Sequence, residues 1–389
     1  MPLPFFCKKE RGENRLKTIK KAVIISVLCM IALVQTGCWD QKIYERIGFI
    51  LQMGLELDQD ERLVYTVSVP IVGPDIKGKV DVFTTSKNLL RESREKVRHV
   101  SGKAVEGGKI QHLYFSKQLA GRGINHFLEI FIRHPENPLL ANIIVVDGSP
   151  KEMMELSAKF EDKPRPASYV NDLLVNARQN SYVPETRIYD FNIMAYSKTI
   201  DPVTPLIRYN EKQIETAGSA LFSGDKMVGE IDTAATGMLH ALMGGERKIQ
   251  YMYHDKDKKE DGTKIKEGAA LLIKKTKRKL NIQTEGETLK IEIKLDFKAS
   301  LDEYSEAHNL DNPQAKKELE EAVAQSIQKD CMELLKYLQE IGSDPIGIGE
   351  MIRAKHNPYW KNVDWKDIYS TAIFNVEVKL IFEFYGAIK

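Results

Sequence analysis

Every second residue from Leu289 to Ala299 is apolar. Leu289, Ile291, Ile293, Leu295, Phe297 and Ala299 alternate with Lys290, Glu292, Lys294, Asp296 and Lys298. Successive side chains of a strand point to opposite faces, so this run predicts a strand with one buried and one solvated face. The chain ends on the same rhythm, at Phe374, Val376, Val378, Leu380, Phe382 and Phe384. Between the two runs the period changes. Leu319, Val323, Ile327, Cys331, Leu334, Leu338 and Ile341 step by three or four, which is the stripe of a helix. Asn312-Pro313 supplies a cap and a proline tolerated at the first helical position, and Gly342 supplies the stop. A second helix is expected over residues 348–355. The order β-α-α-β predicts an α+β fold, with a C-terminal domain in which an antiparallel sheet is packed by two helices.

The rest of the chain alternates strand and helix. Residues 47–51 and 63–69 read as strands, the second ended by Pro70. Ser86 opens a helix that runs to about Val100. Residues 112–115 read as a strand, 124–132 as a helix stopped near Pro135, and 143–146 as a fully apolar strand. Residues 220–228 read as a hairpin turning at Gly224-Asp225, and Thr233–Met243 as a short helix. The charged stretch 255–266 reads as a loop or linker, and prolines at 164, 166, 202 and 205 mark two more loops. A chain of 389 residues has room for two or three domains. The expected division is a leader at 1–37, a mixed α/β domain at 38–205, a small middle domain at 206–265 and the sheet-plus-helices domain at 266–389.

The leader has three zones. Residues 1–21 carry seven basic side chains against Glu10 and Glu13, residues 22–34 are apolar apart from Ser26, and Gln35-Thr36-Gly37-Cys38 closes the segment. A basic start, a short apolar core and a small-residue exit describe an export signal. A cysteine at the exit points to a lipoprotein signal, in which Cys38 receives a diacylglycerol thioether and its freed amino group an acyl chain. An uncleaved spanning helix is the other reading, but it needs about 20 apolar residues. Two acyl chains give stable attachment where one gives marginal binding.

Without residues 1–37 the chain holds 50 basic and 53 acidic side chains, a net charge of −3. That balance offers no overall attraction for nucleic acid. Four cysteines occur, Cys7, Cys29, Cys38 and Cys331. Two lie in the leader and one at its exit, so no internal disulfide is expected. Cys331 falls on the helical stripe and reads as a core thiol.

No catalytic or cofactor signature is present. There is no G-x-S-x-G elbow, no H-E-x-x-H, no C-x-x-C and no phosphate loop. Gly121-Arg122-Gly123 lacks the third glycine of a dinucleotide fingerprint, and His112 reads as a strand histidine. No catalytic, metal or cofactor-binding residue is assigned. Lys274-Lys275-Thr276-Lys277-Arg278-Lys279 is the one basic cluster, read as a solvated rim rather than a headgroup site. Trp360 and Trp365 are expected to pack between the second helix and the last strand.

Taken in order, several short motifs resemble one family. Gly37-Cys38-Trp39-Asp40, followed by Glu45-Arg46, resembles the start of the Ger(x)C family, the C-subunit lipoproteins of GerA-type nutrient germinant receptors of spores. The resemblance continues at residues 86–90 and at the hairpin 222–229. It is strongest at Asp344-Pro345-Ile346-Gly347-Ile348-Gly349-Glu350, then at Tyr359-Trp360 and the final strand. Two positions depart from it. Gln35 stands where lipoprotein signals usually place leucine, and His134-Pro135-Glu136 follows Arg133 where relatives usually place an acidic residue.

The resemblance implies three mixed α/β domains with no enzymatic activity, anchored through Cys38 to the outer face of the spore inner membrane. It implies membrane-embedded A and B subunits as partners, and no direct nutrient binding is expected of this chain. A solute-binding lipoprotein serving a transporter is the alternative reading, and an envelope hydrolase the third.

Overall fold

The computed structural model describes residues 9–34, 46–71, 79–133, 137–245, 247–254, 268–285, 288–304 and 312–385. The chain divides into two compact units, Met1–Ile47 and Gly48–Lys389. In the first unit, α1 (Lys9–Val34) carries the part of the basic stretch from Lys9 on and the apolar run on one helix of 26 residues. Among the described residues no helix is long and apolar enough to cross a membrane. Gln35, Gly37 and Cys38 lie outside the described residues.

The elements that follow are, in order, β1 (Ile47–Phe49), β2 (Gln52–Leu57), β3 (Leu63–Pro70), β4 (Val80–Lys87), α2 (Leu90–Val100), β5 (Ala104–Glu106), β6 (His112–Ser116), α3 (Lys117–Arg122), α4 (Asn125–Arg133), β7 (Asn142–Val146), α5 (Pro150–Ser157), α6 (Pro166–Gln179) and α7 (Ile188–Tyr196). Then come β8 (Val203–Tyr209), β9 (Ile214–Ser223), β10 (Lys226–Ile231), α8 (Thr233–Met243), β11 (Ile249–His254), β12 (Gly268–Glu285), β13 (Thr288–Tyr304), α9 (Pro313–Glu340), α10 (Ile348–Lys355), α11 (Asn357–Trp360), α12 (Trp365–Thr371) and β14 (Ile373–Tyr385).

Eight strands form the large sheet, in the order β10-β9-β8-β7-β6-β2-β3-β4. Its centre is parallel, from β2 through β6 and β7 to β8, and its flanks are antiparallel hairpins. A parallel centre needs cover on both faces, and the sequence of β6 and β7 supplies it by alternation. Leu113, Phe115, Ile143 and Val145 point to a core shared with α2, α3, α4 and α7. Tyr114, Ile144 and Val146 point the other way, to a core shared with α5 and α6. The helix expected from Ser86 begins later, because residues 80–87 pair with β3 as β4.

The described residues of the stretch 206–265, expected as a separate middle domain, are divided between the two sheets. The boundary at 205/206 falls inside β8, and β9 and β10 extend the large sheet. Gly224, with φ 61°, makes the turn that folds β10 back onto β9. Thr233–Met243 is helical as expected, capped where Asp232 Oδ1 accepts from the Ala235 amide at 2.8 Å. The stretch 255–266 lies outside the described residues.

The C-terminal sheet has four strands, in the order β11-β12-β13-β14. All six apolar positions of the alternating run in β13 are buried. Against them packs α9, whose stripe from Leu319 to Leu338 is buried as the spacing predicts. Asn312 caps this helix, with Oδ1 accepting from the Gln314 amide at 2.9 Å.

The sheet is mixed rather than wholly antiparallel. β11, β12 and β13 are antiparallel neighbours, but β14 runs parallel to β13. The cause is the 28-residue α9. It carries the chain back along the sheet, so β14 starts at the same end as β13, as parallel pairing requires.

Candidate functional site

The motif Asp344–Glu350 is wrapped around its own first carboxylate. α9 stops at Gly342, whose φ of 64° suits glycine, and the chain turns directly into Ser343-Asp344. Asp344 is buried, and its Oδ1 accepts from the backbone amides of Gly347 at 2.9 Å and Ile348 at 3.1 Å. Its Oδ2 accepts from the Gly349 amide at 2.9 Å. One side chain therefore satisfies three amides at the start of α10, which have no partner inside the helix. Gly347 sits at φ 75°, and a Cβ on Gly349 would meet the Trp365 indole at 2.8 Å and the Thr199 carbonyl oxygen at 2.9 Å. Both glycines of the motif are thereby explained.

A second segment closes on this one from far away in sequence. Asp201 Oδ2 accepts from the Asp344 amide at 2.9 Å, and the Asp201 amide donates to the Asp344 carbonyl at 3.0 Å. Asp201 Oδ1 also accepts from the Gly224 amide at 2.7 Å, which ties in the β9–β10 turn. Ser343 Oγ donates to the Phe222 carbonyl at 2.6 Å, and Tyr369 Oη donates to the Ser343 carbonyl at 3.0 Å. At the other end of the motif the Glu350 amide donates to the Thr199 carbonyl at 3.0 Å, and Thr199 Oγ1 donates to Glu350 Oε2 at 2.8 Å. Arg353 holds the same carboxylate through its guanidinium. The loop 197–201, the turn 222–224 and the motif 344–350 are thus one hydrogen-bonded clasp.

Electrostatics follow from burial. Burial pushes the Asp344 carboxyl up to about 7, against the amides of Gly349, Ile348 and Gly347, while the nearby Asp201 charge raises it further. Asp201 is also raised, by burial first, with the amides of Asp344 and Gly224 and the charge of Lys366 opposing. The Arg353 guanidinium holds Glu350 below the usual carboxylate range.

Beside the clasp lies a cleft of about 680 Å³. Tyr196, Asp201, Trp360, Trp365, Lys366 and Tyr369 are among its walls. The indoles of Trp360 and Trp365 are 5.9 Å apart by centroid, and Trp365 and Tyr369 are 5.3 Å apart. No histidine or cysteine lines it among the described residues. Both aspartates already accept backbone amides, so the arrangement suits holding segments together and presenting an aromatic surface.

The other sequence candidates fall elsewhere. Cys38 lies outside the described residues. Cys331 is buried in the α9 core, and burial pushes its thiol up to about 12. His112 is buried on β6, and burial pulls its imidazole down to about 3. The basic cluster lies on β12, with Lys274, Lys275, Lys277 and Lys279 on the rim and Thr276 turned into the core. Arg278 departs from that rim: it is half-buried and donates to the Leu242 carbonyl. Trp360 and Trp365 pack with Tyr369 as expected, next to Phe374 of β14. Missed altogether was Asp201, since a loop residue ahead of Pro202 gives no sign of a distant partner. Among the described residues no group of three or more His, Cys, Asp or Glu could hold a metal ion.

Comparison with known proteins gives a consistent result. A family model described as a spore germination protein N-terminal domain matches residues 40–209. A second, described as spore germination B3/GerAC like, C-terminal, matches residues 217–382. Spore germination protein GerQC of Bacillus cereus is 22% identical over 362 residues, covering 92% of this chain and 96% of that protein. Spore germination protein B3 of Bacillus subtilis is 24% identical over 384 residues, covering 92% and 97%. The crystal structure of the GerBC protein shares the fold, with a TM-score of 0.52 at 16% identity over 85% of this chain and 96% of that one. The clasp joins the two matched halves, since Thr199 and Asp201 lie in the first and Asp344–Glu350 in the second.

Proposed function

Since this chain belongs to the GerAC family of spore germination proteins, we propose that it is the lipid-anchored C subunit of a nutrient germinant receptor. In this reading it is a non-enzymatic docking and signalling component held beside membrane-embedded A and B subunits. The observation that carries the reading is positional. The family match begins at residue 40, directly after the apolar run and Gly37-Cys38, and continues over both halves of the folded unit. Residues 1–37 then act as the export signal, and Cys38 carries the diacylglycerol and acyl chains on the outer face of the spore inner membrane.

Two or more acyl chains on one residue give stable anchoring. Confinement to the membrane plane raises the effective concentration of the folded unit near its partners, so weak contacts suffice for docking. The test is membrane fractionation of decoated dormant spores, comparing native protein with Cys38→Ala. The native chain is expected in the inner-membrane fraction, together with co-purifying A and B subunits, and the variant is expected to be lost from it. Normal retention and normal germination of the variant would sink the anchoring role. Native protein confined to growing-cell membranes would favour a solute-binding lipoprotein.

A further inference from the structure

The large sheet carries a second cavity, of about 280 Å³, between α2 and α4. Its apolar lining is Ile50, Met53, Leu90, Ile110, Ile130 and Phe131. Polar side chains also line it, Arg91, Glu95 and Asn137 among them. Arg94 and Arg98 stand one turn apart on α2, Glu106 lies at the end of β5, and Tyr65 rises from β3. A mostly apolar cavity with a few convergent polar groups is the form small-molecule sites take.

Two buried donors in this lining have no acceptor among the described residues. One is the Tyr65 hydroxyl and the other is Nε of Arg94. Tyr65 as a whole is 1% exposed. A buried donor without a partner costs about 1–3 kcal/mol, so two in one cavity are a large cost for a fold to carry without purpose. The local carboxylate does not relieve them. Glu106 lies 3.5 Å from Arg94 and 3.7 Å from Arg98, long distances for ion pairs. Arg98 also reaches Glu95 at 3.1 Å. An arginine donates and never accepts, so the complementary ligand must bring an acceptor. Beside a guanidinium the best acceptor is an anionic oxygen, because charge-assisted bonds are about twice as strong as neutral ones. The apolar lining asks for an apolar body. A dry cavity of about 150 Å³ takes benzene, so this one has room for a ring and a short side arm.

We propose that this cavity binds a small monocarboxylate with an apolar body. Its carboxylate is held by Arg94 and the Tyr65 hydroxyl, and its body lies on Ile50, Met53 and Phe131. The site is independent of the docking role and is proposed beside the sequence expectation of no direct nutrient binding.

Phenylacetate is a suitable probe, and 2-phenylethanol is its uncharged counterpart. Isothermal titration calorimetry on the full chain, purified in detergent, is expected to show saturable 1:1 binding of phenylacetate. Binding of 2-phenylethanol is expected to be about tenfold weaker or worse. Tyr65→Phe keeps the ring and the packing, removes one unpaired donor, and is expected to weaken phenylacetate about threefold to tenfold. Arg94→Met should abolish binding. If that variant does not fold, the Tyr65→Phe comparison still decides. No saturable heat with phenylacetate, equal binding of the two probes, or unchanged affinity in Tyr65→Phe would each overturn the proposal. Cys38→Ala is expected to leave phenylacetate binding unchanged, which separates failure of this site from failure of the anchor.

Discussion

Asp201 and Asp344 hold each other twice. The carboxylate of Asp201 accepts the Asp344 amide at 2.9 Å, and the Asp201 amide donates to the Asp344 carbonyl at 3.0 Å. The two residues are 143 positions apart, so the pairing fastens the loop after α7 to the turn after α9. Because Asp344 also caps α10, one residue links the helix start to the junction.

Removing that carboxylate leaves the amides of Ile348 and Gly349 without an acceptor and the Gly347 amide with only the Asp344 carbonyl, at 3.4 Å. Asp344→Ala is expected to destabilise the fold by about 3 kcal/mol or more, well above the effect of an exposed aspartate. Asp201→Ala should cost somewhat less. Because the residues share partners, the two losses should not add. Urea denaturation of both single variants and the double variant checks this. Full additivity would mean that the two residues do not act as one clasp.

The clasp also predicts a pH dependence. The folded-state value of Asp344, about 7, lies above its ordinary value of 3.8. The folded protein therefore holds a proton that the unfolded chain releases between about pH 4 and pH 7. Stability contributed through this group is greatest at the acid end of that window and falls as pH rises through it. Asp201 is raised too, and its contribution has the same sign. Measured denaturation midpoints are expected to show a shallower decline over this window in Asp344→Asn than in the native chain. An unchanged slope would remove Asp344 as its source.

Gly349 is held by space rather than by backbone angle. A methyl there meets the Trp365 indole at 2.8 Å and the Thr199 carbonyl oxygen at 2.9 Å. Gly349→Ala is expected to destabilise by about 1–3 kcal/mol despite alanine's better helix propensity. Thermal unfolding reads this, with Gly102→Ala as a control, because a Cβ added at Gly102 meets nothing within 4 Å. A neutral or stabilising Gly349→Ala would show that the Trp365 contact gives way.

Cys331 should be chemically silent in the folded chain. Its thiol is fully buried, and burial pushes it up to about 12. Thiolate is the reacting form, so iodoacetamide is expected to label Cys331 only at the rate of unfolding. Rapid labelling under native conditions, read by mass spectrometry, would contradict the packing of α9.

Part of the candidate site was readable in advance. The run 344–350 stood out by resemblance, and a helix over residues 348–355 was expected. What Asp344 does there could not be read. Three of its bonds are local, but its amide is held by Asp201 and its neighbour Ser343 is held by Phe222 and Tyr369, contributed by three other segments. The donors of Tyr65 and Arg94 were hidden for the same reason, since whether a polar atom lacks a partner is a property of its neighbours.

The sequence alone determined the elements whose signal is short-range. The alternation of β13, the stripe of α9, the cap at Asn312, the turn at Gly224 and the helix Thr233–Met243 all follow from periods and caps that involve nearby residues. Tertiary structure decided how those elements combine. Alternation is the same whichever way a strand runs, so only the return of α9 across the sheet made β14 parallel to β13. Likewise, the hairpin β9–β10 could have closed a domain of its own. Pairing of β9 with β8 placed it in the large sheet, because the faces to be buried lay there.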